Sequence, residues 1–503
     1  MFKIYIGEKI MNYFEQLKEK HDTPQKAYLE YQLSKKYLRV FSCSEKAPEN
    51  IKESISLQEK INNYSRELIS NPNKNVDLKT ILGIKDIASF FKEKSNSLEF
   101  IGVERDDFIQ LISGMYEINL KQSSKNISWE KLEEIIVEEK NNVPILTKEE
   151  TQEILDKTVK DYGLTSLSFG QIRTNEESVR SVDKSLEQLT IVIDCEKEQV
   201  GNNFNLFFDT ENTNFAGYSS QHFNQQKLYL NARLSEDAFA HEWFHSIDNM
   251  LAKHHKLDTT HASEAEFTSI SKLLESSTQL NEDAIKELKE NINQKCLVHL
   301  SNIVDRFDKI GSISEVDKFK EMIEQNYEKV ISGSWNKEDF ITNAKKHQKE
   351  NNACISYLAS ELDLMKEFNS NNFNVSSFYK YAVLMDENLK NAKIMKDDYS
   401  TTKLEMMARS FETFVDIKLD EKGIKNLISN ASGNNYAPDK IEMKHYLSEW
   451  ENVVSDIRGL FNDICPVKKM KDNFDISKIS ANINIIRDSA LSETTQNNKI
   501  KIG

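Results

Sequence analysis

Apolar positions along this chain fall mostly at three- and four-residue spacing, the period of amphipathic helices. Met11 to Leu38, Ile51 to Leu68 and Trp129 to Lys140 show it between charged residues, punctuated by Thr23-Pro24, Asn71-Pro72 and Val143-Pro144. Residues 1–161 are therefore expected to form a helical N-terminal domain, and no chemistry-bearing pattern stands out there. From Tyr162 the character changes. LSFG (Leu167 to Gly170), LTIVID (Leu189 to Asp194), FNLFFD (Phe204 to Asp209) and KLYLNAR (Lys227 to Arg233) are short β-branched and aromatic runs. They read as strands of a small sheet, with a polar helix around Arg180 and Leu186 between the first two. FNLFFD and KLYLNAR are expected to pair.

The next run, Leu234 to Leu251, returns to helical spacing. Ala240, Trp243, Phe244, Ile247, Met250 and Leu251 form its apolar stripe. Ser235 suits the N-cap, and Glu236 and Asp237 suit the positive end of the helix dipole. Residues 263–370 are again helical and charged, with amphipathic runs at Ala284 to Phe307 and Val316 to Ile331. A last strong helix lies in Tyr399 to Leu419, where Leu404, Met407, Phe411 and Val415 oppose a face of Glu405, Ala408, Arg409 and Glu412. The expected fold class is α+β and predominantly helical, with a small mixed sheet.

Composition narrows the function classes. The 503 residues allow two or three domains, and six prolines and fourteen glycines agree with a helical chain. A net charge of −15, from 66 Lys and Arg against 81 Asp and Glu, argues against nucleic acid as the main partner. The five cysteines, Cys43, Cys195, Cys296, Cys354 and Cys465, are odd in number, far apart and without a C-x-x-C. That pattern fits buried thiols in a reducing compartment. No apolar run is long enough to span a membrane, and charges break up the N-terminus too early for a signal peptide. The expectation is a protein that is cytoplasmic as synthesised and open to export or injection without a cleavable signal.

The chemistry centres on His241-Glu242-Trp243-Phe244-His245, an H-E-x-x-H pattern. Each helical residue turns about 100°, so His241 and His245 lie roughly 40° apart on one face and can converge on one ion. Glu242 then stands beside the metal, where a general base is needed. Two histidines that never meet a metal would give the same letters, so the third ligand matters. In zinc peptidases a strand just before this helix often lies at the sheet edge, where a peptide can add to it, and Lys227 to Arg233 is the candidate.

Two regions offer a third ligand. Asp248 lies three residues after His245 but a turn further down the axis, which suits orienting a histidine or tying the helix to the fold. Glu405 sits on a second helix, the arrangement of glutamate-type zinc peptidases. However, Thr402 and Glu405 also have capping-box spacing, so Glu405 fits ligand and cap equally. Glu412 is either a further ligand candidate or a solvated carboxylate. His254, His255 and His261 could suggest a second metal site, but they fit a solvated link better.

Two blocks give the chain a resemblance. AHEWFHSIDN (Ala240 to Asn249) and YSTTKLEMMARSFETFV, with its Glu-Met-x-Ala-Arg-x-Phe-Glu core, resemble the metallopeptidase-like domain of the large polyvalent proteins of phages, plasmids and other mobile elements. Phe169-Gly170, Val200-Gly201, Ala216-Gly217-Tyr218, LYLNAR, SSFYKYAVLMD (Ser376 to Asp386), Tyr436 and Pro438 occur in that family's order. The likeness covers roughly Leu164 to Phe461. It departs at Ser235-Glu236-Asp237, where the family has glycines, and at Phe244, which is expected to narrow a neighbouring pocket.

The resemblance implies a zincin-like core assembled from residues 162–262 and 371–465 around an insertion at 263–370, with a tail at 466–503. It implies one Zn2+ per chain held by His241, His245 and Glu405, with Glu242 as base, Asp248 and Arg409 in supporting roles and no organic cofactor. Zincin tyrosines often donate to the oxyanion, which singles out Tyr218 and Tyr399. The expected function is a zinc peptidase acting on a protein or peptide. The alternative is a non-catalytic zincin-fold binding or effector protein of a mobile element or pathogen.

Overall fold

A strand that is apolar on both faces has to be covered on both. Phe204, Leu206, Phe207 and Phe208 are all buried, so FNLFFD belongs inside a sheet with helices on each side. The computed structural model describes residues 14–36, 40–70, short pieces between 82 and 94, 127–138, 148–169, 176–202, 204–209, 217–222, 225–231 and 238–466. Positions 281, 310–312, 348–351, 371–374 and 430–436 within the last range are excepted. The expectations for Gly170, Arg233 to Asp237, Ala216, Tyr436 and the tail beyond 466 lie outside the described residues.

In chain order the elements are α1 (Pro24–Lys36), β1 (Val40–Cys43), α2 (Glu49–Ser70), α3 (Trp129–Glu138), α4 (Lys148–Asp161), β2 (Ser166–Phe169), α5 (Glu176–Ile193), α6 (Lys197–Val200), β3 (Phe204–Asp209), β4 (Gly217–His222) and β5 (Gln225–Asn231). Then come α7 (Phe239–His254), α8 (Thr268–Thr278), α9 (Glu282–Lys309), α10 (Val316–Ile331), α11 (Lys337–Ala344), α12 (Asn352–Asn369), α13 (Ser377–Asn391), α14 (Lys403–Glu421), α15 (Lys440–Lys444) and α16 (Leu447–Ile464). The protein is α+β, mostly helical, with one small mixed sheet.

The sheet has five strands in the order β1-β2-β3-β5-β4. β2, β3 and β5 run parallel, and β1 and β4 pair antiparallel at the two ends. FNLFFD and KLYLNAR do pair, with Leu206 opposite Leu228. Several expectations need correcting. KLYLNAR is not the edge: β5 is paired on both sides, and β4 is the outer strand. β4 reads GYSSQH, too polar to show the alternation that marks a strand.

LTIVID is not a strand. Its first five residues end α5, whose buried Val179, Val182, Leu186, Leu189 and Ile193 keep helical spacing from start to finish. That long periodic face outweighs the β preference of four residues at its end. The segment up to 161 is not purely helical either, because it supplies β1, which pairs with β2 and packs against α4.

The helix carrying the H-E-x-x-H is α7. α7 begins at Phe239 with Ala238 at the N-cap, and Ala238 makes no side-chain cap bond. The amide of Ala240 instead donates to the Ile428 carbonyl at 2.9 Å, so a loop after α14 satisfies an orphan donor of this helix start. Trp243 stacks on Phe204 and Phe411, and Phe244 packs on Phe411 and Trp450. Phe244 is fully buried in the core, so it fills the space between α7, α14 and α16 rather than narrowing a pocket.

One apolar core joins the sheet to α5, α7, α8, α14 and α16. A second, from Leu288 to Leu389, joins α9 to α13. Thus α8, expected in the insertion, packs on the sheet-bearing core through Ile270 and Leu273, and α13 packs with the insertion. No helix among the described residues is long and apolar enough to cross a membrane.

Candidate metal centre

Two elements build the centre. α7 lies with its Trp243–Phe244 side in the aromatic core, which leaves the His241–His245 face turned toward α14. The Nε2 atoms of His241 and His245 are 3.0 Å apart. From α14, Glu405 reaches both: Oε1 is 3.3 Å from His241 Nε2, and Oε2 is 3.6 Å from His245 Nε2. Among the described residues this is the group of three metal-binding side chains that gathers at one point.

The Glu405 carboxylate does not cap its own helix. The Thr402 hydroxyl accepts the Glu405 amide at 3.3 Å, so the helix start is capped by Thr402. The Thr402 amide goes to the Tyr399 carbonyl at 3.2 Å, and the Glu405 carboxylate is left facing the histidines. Arg409, one turn on, holds Oε1 with Nε at 3.0 Å and Nη2 at 2.9 Å. This charge-assisted fork fixes the rotamer of a carboxylate that is nearly inaccessible.

These distances suit a small tetrahedral ion. Bonds of about 2.0–2.1 Å to such an ion place its ligand atoms roughly 3.3–3.4 Å apart; the two Nε2 atoms are 3.0 Å apart, and each is 3.3 or 3.6 Å from a different oxygen of Glu405. Charge points the same way. Arg409 pairs with Glu405, while Glu412 stands at His241, so a divalent cation that displaced the His241 proton would meet a carboxylate-rich surrounding. Zinc fits this two-imidazole, one-carboxylate donor set.

The other predicted residues divide clearly. Glu412 is not a solvated carboxylate on a free face: Oε2 is 3.6 Å from His241 Nδ1, behind the ring. Asp248 is turned away from the cluster. It accepts the Ser263 amide at 2.9 Å and the Ser263 hydroxyl, tying α7 to the short turn Ala262–Glu264. Tyr399 is half exposed, but its phenol hydrogen-bonds the Glu405 side chain. Tyr218 is in β4 opposite Tyr229, and its side chain lies outside the described residues. His254 pairs with Asp463 at 3.3 Å, His255 packs on Phe267, and His261 meets Glu264 at 3.4 Å.

The ionisation states follow from burial set against these neighbours. Burial favours the neutral form of Glu405, but Arg409 and then His241 outweigh it and hold the carboxyl well below its usual range. Burial pulls His241 down while Glu405 and Glu412 push it up, and the carboxylates win, to about 10 in the metal-free site. Burial lowers His245. Glu242 is raised to about 7, first by burial and then by Glu405 and Glu412.

Sequence reasoning missed Ser219, whose backbone hydrogen-bonds the Glu242 carboxylate from β4. It also missed Ser263, the partner of Asp248. Neither carries a local signal, since both act through positions set by the tertiary fold. No protein-family model, curated protein or solved structure matches the chain.

Proposed function

We propose that the chain is a zinc-dependent peptidase acting on a protein or peptide, with His241, His245 and Glu405 holding the ion and Glu242 as general base. The observation that carries this is the meeting of these three side chains at one point, with the Glu242 carboxyl next to them. A bound zinc would polarise a substrate carbonyl and activate water near neutral pH. The likeness of AHEWFHSIDN and EMMARSFE to the metallopeptidase-like domain of polyvalent mobile-element proteins supports the same assignment.

The protein's own residues then have distinct tasks. Glu242, poised near neutrality, takes a proton from the attacking water and returns it to the departing amine. Glu412 steadies the His241 ring from behind, and Arg409 holds Glu405 in place. β4 passes beside Glu242 as the outermost strand, so an extended polypeptide can pair with it and present a bond to the site. A polypeptide substrate is therefore favoured over a compact one.

A metal-holding binding protein is the alternative, but it has no use for a carboxyl held near neutrality at Glu242. Glu242→Gln separates the two readings. The variant should keep its zinc and lose hydrolysis of an unfolded protein such as casein by roughly 10²–10⁴-fold. Undiminished hydrolysis in that variant would remove Glu242 from the mechanism.

A further inference from the structure

Asp386 is in α13, a helix of the second core, yet its carboxylate serves the first. It is only 2 % exposed. Its two oxygens accept three hydrogen bonds from the turn that leads into α14. Oδ1 takes the Ser400 amide at 2.9 Å, and Oδ2 takes the Thr401 amide at 3.0 Å and the Thr401 hydroxyl at 2.9 Å. Lys390 of the same helix pairs with Asp398 on the other flank of the turn.

The residue held between these two attachments is Tyr399. Its carbonyl accepts the amide of Thr402 at 3.2 Å and the Thr402 hydroxyl at 2.8 Å. Its backbone is thus fixed on both sides, while its half-exposed phenol lies close enough to Glu405 and Glu242 for their charge to be felt. A buried carboxylate holding three donors fixes a turn far more firmly than a solvated one. Packing in the insertion therefore sets where the phenol stands.

We propose that Asp386 is a positioning residue through which the helical insertion holds the Tyr399 phenol at the metal centre, ready to donate to a substrate carbonyl. This rests on the zinc-peptidase assignment. It also gives the insertion a part in the site, although none of its helices supplies a member of the cluster itself.

The test compares Asp386→Asn, Tyr399→Phe and the double variant, with zinc content, casein hydrolysis and the 19F resonance of 3-fluorotyrosine at position 399. Asp386→Asn should keep its zinc and lose about 10- to 100-fold in kcat with KM little changed. The double variant should be no worse than Tyr399→Phe alone, because the two act through one phenol. Thr401→Val, which removes one of the three bonds, should show a smaller loss of the same kind. Wild-type kcat in Asp386→Asn, or losses that multiply in the double variant, overturns the proposal. A zinc-free wild type overturns the metal assignment instead. The fluorine resonance still decides the Asp386 link in that case: it should move in Asp386→Asn, and an unmoved resonance rejects the link.

Discussion

At the scale of single residues, the centre is a balance of charge in a space with little water. Glu412 is the most informative member, because it stands behind His241. Glu412→Gln should weaken zinc binding about 10- to 100-fold, measured by competition with a chelator of known affinity, while the fold is unchanged. A variant of wild-type affinity would make Glu412 a bystander. The raised His241 predicts a second effect. At neutral pH its ring carries a proton in the metal-free protein, and ligation must expel it. Affinity should therefore rise with pH, by up to about tenfold per unit toward pH 10, with close to one proton released per ion. Calorimetry in buffers of different ionisation heat measures that release, and a value of zero contradicts it. His241, Glu242 and His245 were legible in the sequence because a helix fixes their relation. Glu405 was legible only as one of two equal options, since Thr402 spacing fits a cap as well as a ligand. Only the three-dimensional contacts show its carboxylate turned to the histidines while the Thr402 amide finds the Tyr399 carbonyl.

At the scale of elements, α7 is set against α14 by aromatic packing. Phe244 lies against Phe411 at 5.0 Å and Trp450 at 5.4 Å and is fully buried. Phe244→Ala should cost about 3–5 kcal/mol in unfolding free energy, read from denaturant melts. A cost below about 1 kcal/mol would mean that this contact does not set the helix. Helices with long apolar faces were legible, and so was the pairing of FNLFFD with KLYLNAR. The edge strand was not. β4 has only its register with β5 and its place beside Glu242 to mark it, and neither leaves a trace in the letters GYSSQH. LTIVID failed for the opposite reason, as its local preference was plain and the helix running through it was stronger.

At the scale of the whole molecule, two apolar cores share one polar site. The sheet-bearing core supplies every member of the cluster, and Asp386 of the second core holds the turn that leads into α14. The α+β class and the helical character of residues 263–370 were visible in the periodicity. Which core α8 and α13 would join was not, because helical spacing shows which residues are buried but not which partner buries them.

The central claim is that side chains from α7 and α14 hold one divalent ion between them. Elemental analysis of the wild type beside His241→Ala and Glu405→Gln, each purified and dialysed in the same way, tests it most directly. One zinc per wild-type chain and near-empty sites in both variants are the predicted result. A metal-free wild type, or a Glu405→Gln protein that keeps its full zinc while Asp248→Asn loses it, would contradict the account.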